Sequence, residues 1–252
     1  MTSAFVPLLT ALVFLCLAQE SRATPAPSAD APQEAARREL RQVIFGSSEV
    51  AGGSVFLGSG FKRALAGSVD AQGPIMMSLS GAGATGESFA GPAGIRFVQP
   101  RLSQSSALLF GYQWMGEFGV LMLAAGPEIA REQQLDRFGM PRWQPARRGV
   151  GFIAEVWTEP WSQTMAQATL TVSGARGSIW GRVAAGYAPF ERVFLGPEIS
   201  AYMDDGYEEL RFGLHLTGLT LGPFTFRLNG GILHAPGRRD ETYFGFQTYF
   251  KI

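Results

Sequence analysis

The amino-acid sequence predicts an all-β fold: an antiparallel up-and-down transmembrane β-barrel of about 12 strands, with 10 as the alternative count. The first observation behind this is a period of two. In residues 208 to 218, EELRFGLHLTG, the side chains of Leu210, Phe212, Leu214 and Leu216 fall on one face, and those of Glu209, Arg211, Gly213, His215 and Thr217 on the other. The second is the character of that other face. A soluble sandwich would turn it to water and fill it with Lys, Glu and Thr, whereas here it carries glycines, amides and single charges such as Gln113, Glu128, Gln167, Arg182, Glu198 and Asn229. Such a face suits a crowded, hydrated lumen. The third is loop length: counting back from a C-terminus on the periplasmic side, the two longest connections, residues 85–104 and 131–148, fall on the outer side. Tight turns such as Gly116-Glu117 and residues 188–191 fall on the inner side.

Composition agrees. Only 17% of the 252 residues are charged, 12% are aromatic and 32 are glycine, a balance that suits neither a helical membrane protein nor a cytosolic enzyme. The 21 acidic and 21 basic residues cancel, and no Lys/Arg cluster sits beside stacking aromatics, so no nucleic-acid partner is expected.

The elements follow in chain order. Residues 4–18, AFVPLLTALVFLCLA, form an apolar run before the small-residue cleavage options Ala18 and Ala23, so residues 1–23 are expected to be a signal peptide. This holds although Pro7 interrupts the run and no Lys or Arg precedes it. Cys16, the single cysteine, would leave with that segment, and the mature chain would hold no thiol. Residues 24–40, rich in Ala and Pro, read as a disordered periplasmic leader, and residues 41–252 as the barrel. Its strands are expected near 41–48, 53–63, 73–84, 105–115, 118–130, 149–159, 164–174, 178–188, 192–202, 207–217, 222–234 and 240–252. In the last of these, Phe244, Phe246, Phe250 and Ile252 would face lipid, while Tyr243, Gly245, Gln247, Tyr249 and Lys251 would face the lumen. Pairing of the last strand with the first would leave no open edge.

One hairpin is used twice. Residues 111–129, GYQWMGEFGVLMLAAGPEI, and residues 186–199, GYAPFERVFLGPEI, share Gly-Tyr, a turn, an apolar strand and Gly-Pro-Glu-Ile. Pro127 and Pro197 lack an amide hydrogen, so each copy is expected to break the sheet locally. Tyr112, Trp114 and Tyr187 fall near the periplasmic ends, where an aromatic girdle belongs. With SVFLGSGFKRAL near residue 54, AEVWTEP near residue 154 and the closing strand, these units resemble the BcsS family of cellulose biosynthesis proteins over most of residues 50–252. The resemblance implies an exported outer-membrane barrel with a role in cellulose production or export. Its partners would be membrane lipid and cellulose or the cellulose synthase machinery. It brings no catalytic residues with it.

The lumen lining expected from parity comprises Glu128, Glu155, Trp157, Trp180, Arg182, Glu198, Arg211, His215 and Arg227. The charges read either as an ion-paired plug or as the wall of a polar or saccharide passage, with Trp157 and Trp180 on the inward face and Trp143 in the external loop as candidate aromatic platforms. An enzymatic alternative would use His215 as base with Ser200 and Glu198, modifying lipid or glycan; His234 lies near the outer mouth. A glycosidase-type carboxylate pair is a weaker option, because short hairpins fix no cleft. A general small porin is the remaining alternative. No catalysis, metal or cofactor is expected, and Asp204-Asp205-Gly206 reads as a hairpin turn.

Overall fold

Wherever apolar side chains alternate with polar or small ones, the chain is extended and pairs antiparallel with its neighbours. The computed structural model describes residues 40–90, 96–135, 140–190 and 192–252. The expected signal peptide, and the leader up to residue 39, lie outside the described residues. The strands are β1 (Gln42–Ala51), β2 (Ser54–Ala64), β3 (Gly73–Ala90), β4 (Arg96–Gly116), β5 (Gly119–Leu135), β6 (Pro141–Trp143) and β7 (Arg147–Thr158). They continue with β8 (Thr164–Ser173), β9 (Ser178–Phe190), β10 (Val193–Asp204), β11 (Tyr207–Leu221), β12 (Phe224–His234) and β13 (Glu241–Lys251).

Twelve strands close a ring, because β1 pairs with β13 from Val43↔Lys251 to Ala51↔Tyr243. The short β6 stands outside the count, pairing only with β5 around Gln133↔Trp143. The expected 12 therefore holds and 10 does not. Closure removes the sheet edge, so the backbone groups of the last strand find partners on both sides.

The parity of the two faces follows the sequence. Val50, Leu57, Val150, Ile199, Leu214, Ile232 and Phe244 stand exposed on the outside, while Arg182, Glu198, Arg211, His215, Arg227 and Asn229 are buried within. An apolar exterior around a polar interior is the arrangement of a transmembrane barrel, and among the described residues no helix is long and apolar enough to cross a bilayer. Single cysteines placed at 244, 246 and 250 are expected to react with a bilayer-confined label, and those at 247 and 249 to stay unlabelled. Labelling without this parity would reject the assignment of faces.

Two expectations need correction. Residues 85–104 and 131–148 are not simple loops: β3 and β4 stay paired as far as Ala90↔Arg96, five rungs beyond the start of β2, and β5 runs to Leu135. Outside a bilayer neither face of a hairpin must be apolar, so the alternation fades while the backbone still requires its partners. Nor is the whole interior polar. Ile75, Met77, Leu109, Met122, Ala124 and Ile153, from β3, β4, β5 and β7, pack into an apolar cluster that Phe45 of β1 joins. These strands carry apolar residues on both faces, so alternation alone leaves their inner face unread.

Both Gly-Pro-Glu copies break the sheet as expected. The β4–β5 ladder skips from Ala107↔Glu128 to Phe110↔Ala125, and the β9–β10 ladder from Leu195↔Tyr187 to Glu198↔Ala184. Glycine before each proline admits the displaced carbonyl opposite: a Cβ at Gly126 would lie 2.1 Å from Leu108 O, and one at Gly196 1.9 Å from Ala185 O.

Candidate functional site

The lumen is crossed at mid-height by a chain of buried polar side chains. Glu198 on β10 and Arg227 on β12 form an ion pair, with side chains only 1% and 4% exposed. Asn229 Nδ2 donates to Glu198 Oε1 at 2.8 Å. Arg227 Nη1 donates to Thr217 Oγ1 at 3.0 Å and to Gln167 Oε1 at 2.8 Å, and Gln167 Nε2 donates to Glu155 Oε1 at 3.1 Å. Gln167 belongs to β8 and Arg227 to β12, which are not neighbours in the sheet, so this contact spans the interior as a chord.

His215 is locked into the same layer. Its Nε2 lies 3.1 Å from Ala185 O, and since a carbonyl only accepts, that nitrogen donates. Nδ1 then accepts from the Thr217 hydroxyl at 2.9 Å. The carbonyl that His215 takes up is the one displaced opposite Pro197, so the sheet break and the buried histidine satisfy each other. Both ring nitrogens are occupied, and Glu198 is held by Arg227 and Asn229. The Ser200, His215 and Glu198 combination forms no nucleophile–base contact here.

Towards the end away from Leu40 and Ile252, Arg211 pairs with Glu49 of β1 and, at 2.5 Å, with Glu209, and its guanidinium lies 5.4 Å from the Tyr243 ring centre. Tyr207 Oη donates to Glu209 Oε2 at 2.6 Å. Arg182 is placed otherwise: 7% exposed, it lies 5.4 Å from the ring centre of Trp180 and has neither an ion pair nor a hydrogen bond among the described residues. Tyr202 stands opposite Trp180 in the ladder and 6.2 Å from Tyr207 between ring centres.

At the end that holds Leu40 and Ile252, residues 65–72 fold over the lumen. Gln113, fully buried, donates through Nε2 to Val69 O at 3.0 Å and Ala71 O at 3.1 Å, and its Oε1 accepts from Lys62 Nζ at 2.8 Å. Val69 N donates to Leu40 O at 2.8 Å, Ser68 Oγ donates to the same oxygen at 2.9 Å, and Lys251 pairs with Asp70 at 2.7 Å.

The structure therefore unites Glu155, Glu198, His215 and Arg227, and separately sets Arg182 on Trp180. It leaves the other expected lining residues elsewhere. Glu128 accepts from Ser173 Oγ at 2.7 Å near the opposite rim, and Trp157 packs edge-on against Phe194 at 6.0 Å; Trp143, expected outside the lumen, lies on β6 under Arg131. His234 pairs with Asp240, both exposed, at the same rim. Asp204 caps its hairpin by accepting from Tyr207 N at 3.1 Å. Among the described residues no group of three or more His, Cys, Asp or Glu is placed to hold a metal. Sequence reasoning does not single out Glu49, Lys62 or the tyrosines Tyr202 and Tyr207, because their importance depends on cross-strand register. The parity of Glu49 and Tyr202 was the only available signal.

Residues 43–252 match the family described as "Cellulose biosynthesis protein BcsS". The chain belongs to this family. No curated protein matches the BcsS-family chain. Among solved structures it is similar to the KdgM porin in complex with disordered oligogalacturonate, at TM-score 0.48 and 8% identity, covering 83% of this chain and 99% of that one. Omp33 of Acinetobacter baumannii is similar at TM-score 0.38 and 8% identity, covering 85% of this chain and 99% of the other. Both likenesses are distant.

Proposed function

We propose that this BcsS-family barrel resides in the bacterial outer membrane and serves cellulose production without catalysis, as a barrel held shut at mid-height and not as a standing pore. The observation that carries this is the Gln167–Arg227 chord with the Glu198 ion pair: side chains from non-adjacent strands meet in the interior and are withdrawn from water. The apolar cluster around Leu109 and Met122 fills the opposite wall, and residues 65–72 cover one end. The full engagement of His215 supports a filler in preference to a base. Removal of residues 1–23 on export belongs to the same reading, as does contact with lipid outside and with cellulose or its synthase machinery.

The test is conductance of the purified barrel in planar bilayers. Silent membranes with verified insertion are the expected result. Long-lived channels in the unmodified protein would overturn the closed barrel and leave the family role intact.

A further inference from the structure

Several buried polar atoms of the lumen lack a hydrogen-bond partner among the described residues, the Nε of Arg182, Arg211 and Arg227 among them, but of these three guanidiniums Arg182 alone has neither an ion pair nor a hydrogen bond. Arg182 and Arg211 lie on one level, each opposite Ser200 across a ladder. Arg211 has Glu49 and Glu209; Arg182 has no ion pair or hydrogen bond, only the longer-range attraction of Glu198, Glu155 and Glu49, and its Nε is both out of contact with water and unpartnered. A guanidinium this buried loses hydration without gaining a direct ion pair, which is unfavourable unless a closer anion is supplied. The carboxylates of Glu49, Glu198 and Glu209 are already committed to other cations. Beside the unpaired cation stand Trp180 and, opposite it, Tyr202, flat amphipathic surfaces of the kind on which a sugar ring rests.

We propose that Arg182, Trp180 and Tyr202 form a binding site for an acidic saccharide of the uronate class, reached from the end of the lumen where β10 turns into β11. The carboxylate takes the planar guanidinium of Arg182, to which it can bind through two parallel hydrogen bonds, and the pyranose ring lies against the aromatic pair. Ser200, 4% exposed between the two arginines, offers a hydroxyl on the same level. The site rests on the barrel reading above, but not on whether the lumen conducts, so binding and conductance fail independently.

The test uses the full mature barrel refolded in detergent, titrated by calorimetry and tryptophan fluorescence with a glucuronic acid tetrasaccharide and, separately, with cellotetraose. The acidic tetramer is expected to bind at least about tenfold more tightly than the neutral one, with an affinity that falls as salt rises. Arg182→Gln is expected to abolish that difference while leaving the barrel folded on heat-shift gels and as resistant to urea as before, or more so, because a charge without a partner has been removed. A residue with only a structural role would show the reverse, lost urea resistance and unchanged discrimination. Equal binding of the two sugars, binding of neither, or undiminished discrimination by Arg182→Gln would each overturn the proposal. Should Arg182→Gln not fold, Arg182→Lys keeps the charge, loses the two-pronged geometry and is expected to show weakened discrimination; discrimination equal to the unmodified barrel's would overturn the proposal.

Discussion

Glu198→Ala is expected to destabilise the refolded barrel by about 3–5 kcal/mol, the usual cost of leaving one member of a buried ion pair without its partner. Arg227 would lose its counter-charge in a site where its side chain is 4% exposed, and Asn229 would lose the acceptor of its amide. Urea unfolding followed by the gel shift measures the loss. The paired control is Glu198→Leu with Arg227→Met, which removes both charges and keeps the volume roughly filled. Replacing an entire buried pair in this way is often neutral or stabilising, so the double variant should recover most of the stability. A double variant as weak as Glu198→Ala would show that the charged network itself holds the layer, and that the loss in Glu198→Ala is more than the penalty of an unpaired Arg227.

Leu214→Arg is the second large effect. Leu214 stands outward at the middle of β11, opposite Pro197, with 61% of its surface exposed. In a bilayer that surface meets hydrocarbon, and arginine at the midplane costs about 2–4 kcal/mol. Leu221, at the end of the same strand and 73% exposed, should tolerate arginine at a cost of about 0–1 kcal/mol. The comparison separates environments that share one structure, since in water two exposed leucines would accept arginine alike. Unfolding measured in lipid vesicles for both variants decides it. Equal costs would remove the membrane from the account.

Strand number, strand parity and both sheet breaks were legible because each depends on local chemistry: the two-residue alternation of Phe212, Leu214 and Leu216, or the missing amide hydrogen of Pro127 and Pro197. Pairings were not. That Glu198 pairs with Arg227 while Arg182 has no ion pair depends on stagger around a closed ring, which a string of hairpins leaves open. The membrane-external ends of β3, β4 and β5 escaped for the opposite reason, since no solvent there enforces one apolar face. Ile75, Leu109 and Met122 escaped because their strands are apolar on both sides.

The segment 65–72 has a temporal meaning. Its partners come from the two ends of the described chain: Leu40 supplies the carbonyl for Ser68 and Val69, and Lys251 supplies the cation for Asp70, a separation of 181 residues. The Lys251 contact cannot exist until β13 has docked on β1, when Arg41 and Gln42 also donate their amides to Ile252 O. The flap thus works as a seal completed by the final step of assembly, because its Lys251 contact joins residues 181 apart that meet only when the ring closes. Proteolytic nicking within 65–72 should be rapid in partly assembled forms and cease when the ring closes, which makes this segment a reporter of maturation as well as a cover.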